Sequence, residues 1–194
     1  MNQIFQLLAL TIIVGCNNVK KEQTMDKYEY ANAITPNSKE HLTLISDDII
    51  LQIGSDIGFV DSSGDTTIPI GQYTLFDSTN YKVFFIVIAN DKGVVGINMN
   101  GQIMFDAYVF GDVQIDKFNE DLLRIRRNKK VGYINRDGKV VIPCQYQCAK
   151  RFIDGRAEVA LDCEYVMDEY EIVEMKSEGW FYIDKDGNKI TTPQ

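Results

Sequence analysis

The sequence predicts an all-β fold, built from about four tandem hairpin repeats of three short antiparallel strands each. The first observation is a strand–turn–strand pattern that occurs four times, around residues 57–69, 95–101, 131–143 and 180–187. The second is the spacing of the turn glycines Gly64, Gly101, Gly138 and Gly187, which lie 37, 37 and 49 residues apart. A fixed period in this range marks a repeat architecture. We therefore expect the units to stack as an open propeller-like or solenoid array.

A β-type run precedes each hairpin and is predicted to supply the first strand of its unit. The four runs cover residues 49–53, 81–89, 122–126 and 157–161. The second run contains five consecutive large apolar residues at 84–88, as expected of a fully buried strand.

Each predicted hairpin turns at a glycine that follows a small or polar residue. The four dipeptides are Ser63-Gly64, Asn100-Gly101, Asp137-Gly138 and Asp186-Gly187. Glycine supplies the positive φ that a tight hairpin turn needs. Pro69 and Pro143 occupy equivalent positions after two of these turns. We place both prolines at strand ends, because proline cannot donate a ladder hydrogen bond.

The first fifteen residues differ from the rest and predict a signal peptide. Residues 4–14 are apolar except for Gln6 and Thr11. This run is shorter than the ~20 residues of a membrane span and suits a signal-peptide core. It leads into Ile13-Val14-Gly15-Cys16, which resembles a bacterial lipobox, although residues 1–3 hold no lysine or arginine. The alternative is a buried hydrophobic segment, but the polar sequence from Asn17 onward favours a lipoprotein.

These features divide the chain into a signal peptide (1–15), a lipidated cysteine with a flexible tether (16–43) and a β-repeat domain (44–194). The resemblance implies cleavage before Cys16 and lipidation of Cys16, which would anchor the protein to a membrane without crossing it. Residues 17–41 are mostly polar and bury too little apolar surface to offset their ordering entropy. Tyr28 and Tyr30 are candidates to dock onto the domain.

The repeated unit resembles the WG-repeat family, also called the WG-containing β-repeat. Its pattern runs Trp-Gly-Tyr-Ile-Asp, two variable residues, Gly, a β-branched pair and Ile-Pro, then Tyr, Ala, Phe and Gly. The third unit matches best, at Gly132, Tyr133, Ile134, Asn135, Gly138, Val140, Val141, Ile142, Pro143, Tyr146, Ala149, Phe152, Gly155 and Ala157. The tryptophan position holds Ile57, Val95 and Val131, and Phe181 replaces the glycine after Trp180. The resemblance spans about residues 44–194 and implies all-β structure but no common chemistry.

Composition restricts the function. A net charge of −8 argues against nucleic acid as a partner, because phosphates need a basic surface. One histidine, His41, leaves little scope for histidine catalysis or a histidine metal site. We expect Cys144, Cys148 and Cys163 to be buried apolar residues or to form one disulfide, with Cys163 bonded to Cys144 or Cys148. We assign no catalytic residue, no metal site and no cofactor.

The fourth unit exceeds the 37-residue period by 12 residues. The extra residues lie around 162–178 and are rich in aspartate and glutamate. Insertions in repeats often map to the binding face, and residues 171–176 also fit an extended hairpin. A basic stretch, Arg124, Arg126, Arg127, Lys129, Lys130 and Arg136, is interpreted as ordinary exposed positions. The alternatives are an anion-binding surface and pairing with the acidic insertion. Trp180 and the repeated tyrosines are interpreted as core rather than a sugar-binding face.

Together these observations predict a non-enzymatic binding or scaffold lipoprotein of the cell envelope, at the outer membrane or periplasmic face. It would contact the membrane through lipid at Cys16 and would bind a protein partner through its repeat surface. Two alternatives stay open: a carbohydrate- or peptidoglycan-binding envelope protein, and an immunity or adaptor protein of a toxin system.

The lipid anchor predicts a specific loss in a Cys16→Ala variant. Mass spectrometry of the membrane fraction should detect an acylated N-terminal Cys16 peptide from the native chain. The variant should lack that peptide and should leave the membrane fraction. An unprocessed native chain in the cytosol would contradict the lipoprotein assignment.

Overall fold

The computed structural model describes residues 29–32, 42–77, 81, 83–110, 114–167 and 173–191. Within those residues the chain forms seventeen β-strands and no helix, which confirms the all-β class. In chain order the strands are β1 (Thr43–Ile45), β2 (Asp56–Val60), β3 (Thr66–Leu75), β4 (Phe84–Ala89), β5 (Gly93–Asn98), β6 (Ile103–Ala107), β7 (Val109–Phe110), β8 (Gln114–Ile115), β9 (Leu122–Arg127), β10 (Lys130–Asn135), β11 (Val140–Tyr146), β12 (Cys148–Ala149), β13 (Arg156–Ala160), β14 (Glu164–Met167), β15 (Val173–Lys176), β16 (Phe181–Asp184) and β17 (Lys189–Ile190).

The described strands form one large sheet, one smaller sheet and two separate hairpins. The nine-stranded sheet has the order β1-β2-β3-β4-β5-β6-β9-β10-β11, and the four-stranded sheet has the order β12-β13-β16-β17. β7 pairs with β8, and β14 pairs with β15. The strand pairings are antiparallel. Four three-stranded units follow: unit 1 (β1–β3), unit 2 (β4–β6), unit 3 (β9–β11) and unit 4 (β13, β16 and β17).

The first strand of unit 1 is not where the sequence predicts it. Residues 49–53 form a loop rather than a strand. β1 occupies the pairing position beside β2, with Thr43 opposite Val60 and Ile45 opposite Gly58. Because β1 already pairs with this edge of β2, the apolar run at 49–53 is left in the connection between the two strands. The other three predicted first strands correspond to β4, β9 and β13.

Successive units meet at short joints. Two residue pairs join β3 to β4, two join β6 to β9, and two join β12 to β13. Apolar side chains fill the space beside each joint. The cluster between units 1 and 2 includes Ile68 and Ile97, that between units 2 and 3 includes Phe105 and Ile125, and that between units 3 and 4 includes Ile142 and Ile183. Each cluster therefore draws on two neighbouring units.

The hairpin turns share one hydrogen-bonding pattern. In unit 3, Oδ1 of Asn135 accepts hydrogen bonds from the backbone N–H groups of Asp137 (3.1 Å) and Lys139 (2.9 Å). The N–H of Gly138 donates to the carbonyl of Asn135 at 3.0 Å, and Gly138 has a φ of 71°. Asp61, Asn98 and Asp184 occupy the equivalent position and accept the same pair of bonds in the other units. The predicted turn glycines are thus confirmed. Each turn also uses an aspartate or asparagine side chain as hydrogen-bond acceptor, which the sequence analysis did not predict.

A glycine in units 1 and 3 lies directly under the partner strand. A Cβ atom on Gly132 would lie 2.5 Å from the carbonyl oxygen of Ile142 and 2.7 Å from the backbone carbon of Pro143. The register shifts here: Val131 pairs with Tyr146, but Tyr133 pairs with Ile142. β11 therefore bulges over Gly132, and the missing N–H of Pro143 falls where the ladder is interrupted.

The placement of both prolines at strand ends is therefore wrong. Pro69 lies inside β3 and Pro143 inside β11. In unit 1 a Cβ on Gly58 would lie 2.6 Å from the carbonyl oxygen of Ile68 and 2.9 Å from the backbone carbon of Pro69. The ladder is interrupted at a bulge, so a residue there does not need to donate a backbone hydrogen bond. Proline is therefore tolerated at a bulge inside a strand as well as at a strand end.

Substitutions at Asn135 test the turn. Asn135→Ala should lower the free energy of unfolding by about 1 kcal/mol, because two backbone N–H groups lose their acceptor. Asn135→Asp should be close to neutral at pH 7, since aspartate already serves at residues 61 and 184. Urea denaturation measures both. Equal losses for the two variants would contradict this role.

Candidate functional site

The fourth-unit insertion forms a hairpin that stands apart from both sheets. β14 pairs with β15, from Glu164 opposite Lys176 to Met167 opposite Val173. The hairpin thus begins seven residues earlier than the 171–176 segment that the sequence indicates, and its residues 168–172 lie outside the described part of the chain. Among the described residues of the hairpin, the exposed large apolar side chains are Tyr165, Met167 and Val173. Glu164 and Glu174 are exposed beside them.

A disulfide holds the base of this hairpin. Cys148 of β12 is bonded to Cys163, with their Cα atoms 5.8 Å apart. This is one of the two pairings that the sequence leaves open, and Cys144 is the remaining free thiol among the described residues. Closing a loop between residues 15 apart in sequence stabilises the folded state by about 3 kcal/mol on the chain-entropy model. Burial raises the pKa of the Cys144 thiol to about 11, so it is a poor nucleophile at neutral pH.

Aromatic packing supports the same base. Trp180 and Met175 pack against the buried cluster of Cys148, Ala160 and Cys163. The ammonium nitrogen of Lys150 lies 4.9 Å from the centroid of the Trp180 ring, a cation–π contact. The half-buried Trp180 thus serves in packing, in agreement with the interpretation as core.

A second anchor joins the hairpin to unit 3. The Tyr165 hydroxyl donates to the carbonyl of Gln147 at 3.2 Å and accepts from Nη2 of Arg126 at 3.2 Å. The guanidinium of Arg126 lies 5.5 Å from the Tyr165 ring centroid and 4.6 Å from that of Tyr108. Burial, with the adjacent Tyr165 hydroxyl, raises the pKa of Tyr108 to about 12. The hairpin is therefore fixed at its base and along its first strand.

A buried ion network lies behind this anchor. Nε of Arg124 lies 2.7 Å from Oδ2 of Asp116, and the side chains are only 4% and 2% exposed. Arg124 also donates to the carbonyl of Ala149 at 2.8 Å. Nε of Arg151, which is 46% exposed, lies 2.6 Å from the other carboxylate oxygen of Asp116. The network links the segment before β9 to β9 itself and to the segment that leads into β13.

The basic stretch is therefore not a uniform exposed surface. Arg124 is buried, so the interpretation of this stretch as ordinary exposed positions is wrong at that residue. Its buried partner, Asp116, lies eight residues away in a different element, and the sequence gives no sign of that contact. The ion pairs that the structure gives to Arg124 and Arg136 go to Asp116 and Asp121, both outside the insertion. The basic stretch contacts the insertion through the hydrogen bond from Arg126 to the Tyr165 hydroxyl.

Part of the predicted tether contacts the repeat domain between units 2 and 3. The Tyr30 hydroxyl donates to Oδ2 of Asp106 at 2.9 Å and accepts from the N–H of Asn128 at 3.2 Å. The N–H of Ala31 donates to the carbonyl of Ile103 at 2.9 Å. Burial raises the pKa of Tyr30 to about 12 and also raises that of Asp106. Docking of Tyr30 is thus observed, while Tyr28 lies outside the described residues.

An open cleft of about 560 Å³ lies beside the disulfide, lined by residues 162–164 and 176–179. Its lining carries three acidic side chains, Asp162, Glu164 and Glu178, and one basic side chain, Lys176. Across the described ranges, no group of three or more histidine, cysteine, aspartate or glutamate side chains is arranged to hold a metal ion. None of the described residues forms a helix long and apolar enough to span a membrane. Cys16 and the predicted signal peptide lie outside the described residues.

The comparisons with known proteins support the repeat. The family model "WG containing repeat" matches residues 132–162, which run from the glycine under the β11 bulge to the start of the insertion. The match confirms the resemblance to the WG-repeat family over a stretch that runs from β10 and β11 of unit 3 to β13 of unit 4. Comparison with curated proteins finds no match, and comparison with solved structures finds none.

Two substitutions separate the buried from the exposed arm of the ion network. Asp116→Asn should lower the free energy of unfolding by about 3 kcal/mol, because it leaves Arg124 charged, buried and uncompensated. Arg151→Met should cost less than about 1 kcal/mol, since that side chain is half-exposed. Urea denaturation distinguishes them. Equal losses would show that the buried Asp116–Arg124 pair does not dominate.

Proposed function

We propose that this chain is a non-enzymatic scaffold lipoprotein, anchored to the cell envelope through Cys16, whose repeat domain binds a protein partner. The inserted hairpin of unit 4 is its main contact element. The observation that carries this proposal is that the hairpin is firmly attached to the domain and yet exposes large apolar side chains. The hairpin is held by a disulfide and by Tyr165, yet it presents Met167 and Val173 to solvent. Pre-organisation of this kind lowers the entropy lost on binding.

The scaffold in this proposal is an open solenoid or propeller-like array of the four units. Its support is the placement of the three large core clusters, each between two neighbouring units. Nearest-neighbour packing is the source of stability in repeat proteins. In an array of this kind the strands set the positions of the loops, while the sequence and length of each loop can differ from unit to unit.

The charge around the hairpin specifies the partner. Glu164 and Glu174 flank the apolar side chains. Lys176, 3.5 Å from Glu174, offsets one of these two charges, and the chain as a whole carries −8. An apolar patch with an acidic rim complements a protein surface with an apolar pocket and a basic rim. The envelope location in the proposal rests on the lipobox-like sequence before Cys16, and the outer membrane or periplasmic face is the expected site.

The hairpin is tested in two stages. A photo-crosslinking residue in place of Met167, in cells that make the full chain, identifies the partner, and the same residue in place of Asp137 is the control. Affinity is then measured with the purified partner. The Met167→Ser/Val173→Ser variant should bind at least about tenfold more weakly, because two anchors worth about 1.5–3 kcal/mol each are lost.

Ile153→Ser removes another exposed apolar side chain, away from the hairpin, and should leave the affinity unchanged. Equal affinity of the native chain and the hairpin variant for the crosslinked partner would overturn the assignment of the hairpin as contact element.

A further inference from the structure

The connection between β1 and β2 exposes a second apolar surface. The aliphatic side chains in this loop are Ile49, Ile50, Leu51 and Ile53, with exposed fractions of 101%, 77%, 47% and 57%. Four large aliphatic residues within five positions are costly to keep in water. Contiguous exposed apolar side chains of this kind mark interaction sites.

Hydrogen bonds attach both ends of this loop to the neighbouring strands. Ser46 Oγ donates to the carbonyl of Asp56 at 2.6 Å and accepts from the N–H of Asp48 at 3.2 Å. Towards the other end, the N–H of Gly54 donates to the carbonyl of Leu75 at 2.9 Å. The N–H of Leu75 in turn donates to the carbonyl of Ser55 at 2.8 Å. Both ends of the loop are thus fixed to β2 and β3, and the aliphatic tip lies between them.

The loop is longer than its counterparts in the neighbouring units. In unit 2 the first and second strands are joined by residues 90–92, and in unit 3 by residues 128–129. Residues 46–55 make the same connection in unit 1. The hairpin insertion of unit 4 also lies between the first and second strands of its unit. The repeat itself therefore does not require this length, and the extra residues add an apolar tip that the core does not use.

We propose that the 46–55 loop is a second docking surface, which takes a protein partner with an apolar pocket and a basic rim. Charge complementarity selects this occupant. Asp47 and Asp48 precede the aliphatic tip, and Asp56 follows it, all three exposed. Anionic lipid headgroups would be repelled by these carboxylates and by the net charge of −8, whereas lysine or arginine around a pocket is attracted. The surface is independent of the unit-4 hairpin, so one can fail without the other.

Defined probes test this chemistry. The protein is the full chain carrying Cys16→Ala, so that neither lipid nor detergent competes. The probes are a fluorescent amphipathic helical peptide with leucine on one face and lysine on the other, the same peptide with glutamate for lysine, and vesicles of phosphatidylglycerol and phosphatidylcholine. Fluorescence anisotropy gives the affinity for each peptide, sedimentation gives vesicle binding, and light scattering gives the oligomeric state.

The lysine peptide should bind the otherwise native chain, and Ile49→Ser/Ile50→Ser should weaken binding at least tenfold. Asp47→Asn/Asp48→Asn should weaken it severalfold and flatten its salt dependence. Two matched controls should keep the native affinity: Ile153→Ser/Leu161→Ser, which removes two exposed aliphatic side chains outside both proposed surfaces, for the apolar pair, and Asp137→Asn/Asp186→Asn for the charges. The glutamate peptide should bind at least tenfold more weakly than the lysine peptide.

Three results would overturn the proposal. The first is equal weakening by the loop variant and by the Ile153→Ser/Leu161→Ser control, which would indicate non-specific attraction to an acidic protein. The second is vesicle binding that the Ile49→Ser/Ile50→Ser variant loses, which would make a bilayer the occupant. The third is a dimer that the same variant dissociates, which would make a second copy of the chain the occupant.

Discussion

The close crossing of β11 over Gly132 is the constraint on which unit 3 and its contact with unit 4 depend. Only a residue without a side chain fits there, because a Cβ would lie 2.5 Å from the Ile142 carbonyl oxygen. The same bulge carries Ile142 into the cluster shared with unit 4. The glycine before the aromatic residue and the isoleucine–proline pair ten residues later are thus two halves of one contact. This explains why a family pattern would contain both, and why Gly58 with Pro69 repeats it in unit 1.

The crossing also positions the elements that follow it in the chain. Ile142 lies 3.5 Å from the Cβ position of Gly187, in the turn of unit 4. Beyond the bulge, the chain continues from β11 into β12, which carries Cys148. The disulfide from Cys148 then fixes the inserted hairpin, while Tyr165 fixes it to Gln147. The sequence pattern, the packing of neighbouring units and the exposed apolar surface are therefore parts of one continuous segment of chain.

Local signals made much of this fold predictable. The turn glycines and three of the four first strands could be predicted because each depends on residues within a few positions of one another. The prediction of a strand at 49–53 was wrong because it relied on the aliphatic composition of that segment, which favours a strand. In the structure β1 occupies the pairing position beside β2. The Asp116–Arg124–Arg151 network and the choice of Cys148 over Cys144 depend on contacts between elements, which spacing alone does not determine. Nothing in the sequence except its position in the insertion indicated that Tyr165 joins the hairpin to unit 3.

Native-state hydrogen exchange on Gly132→Ala, followed by mass spectrometry, tests the crossing most directly. Protection should fall most in β10 and β11 and in the adjoining strands of units 2 and 4, while β1 and β2 should keep theirs. Overpacking should lower the free energy of unfolding by about 1–3 kcal/mol. Gly179→Ala is the control, because its Cβ would lie no closer than 3.6 Å to a neighbouring atom, and it should retain native protection. Native protection in Gly132→Ala, or a loss spread evenly over all described strands, would contradict a repeat held together by this contact and by nearest-neighbour packing.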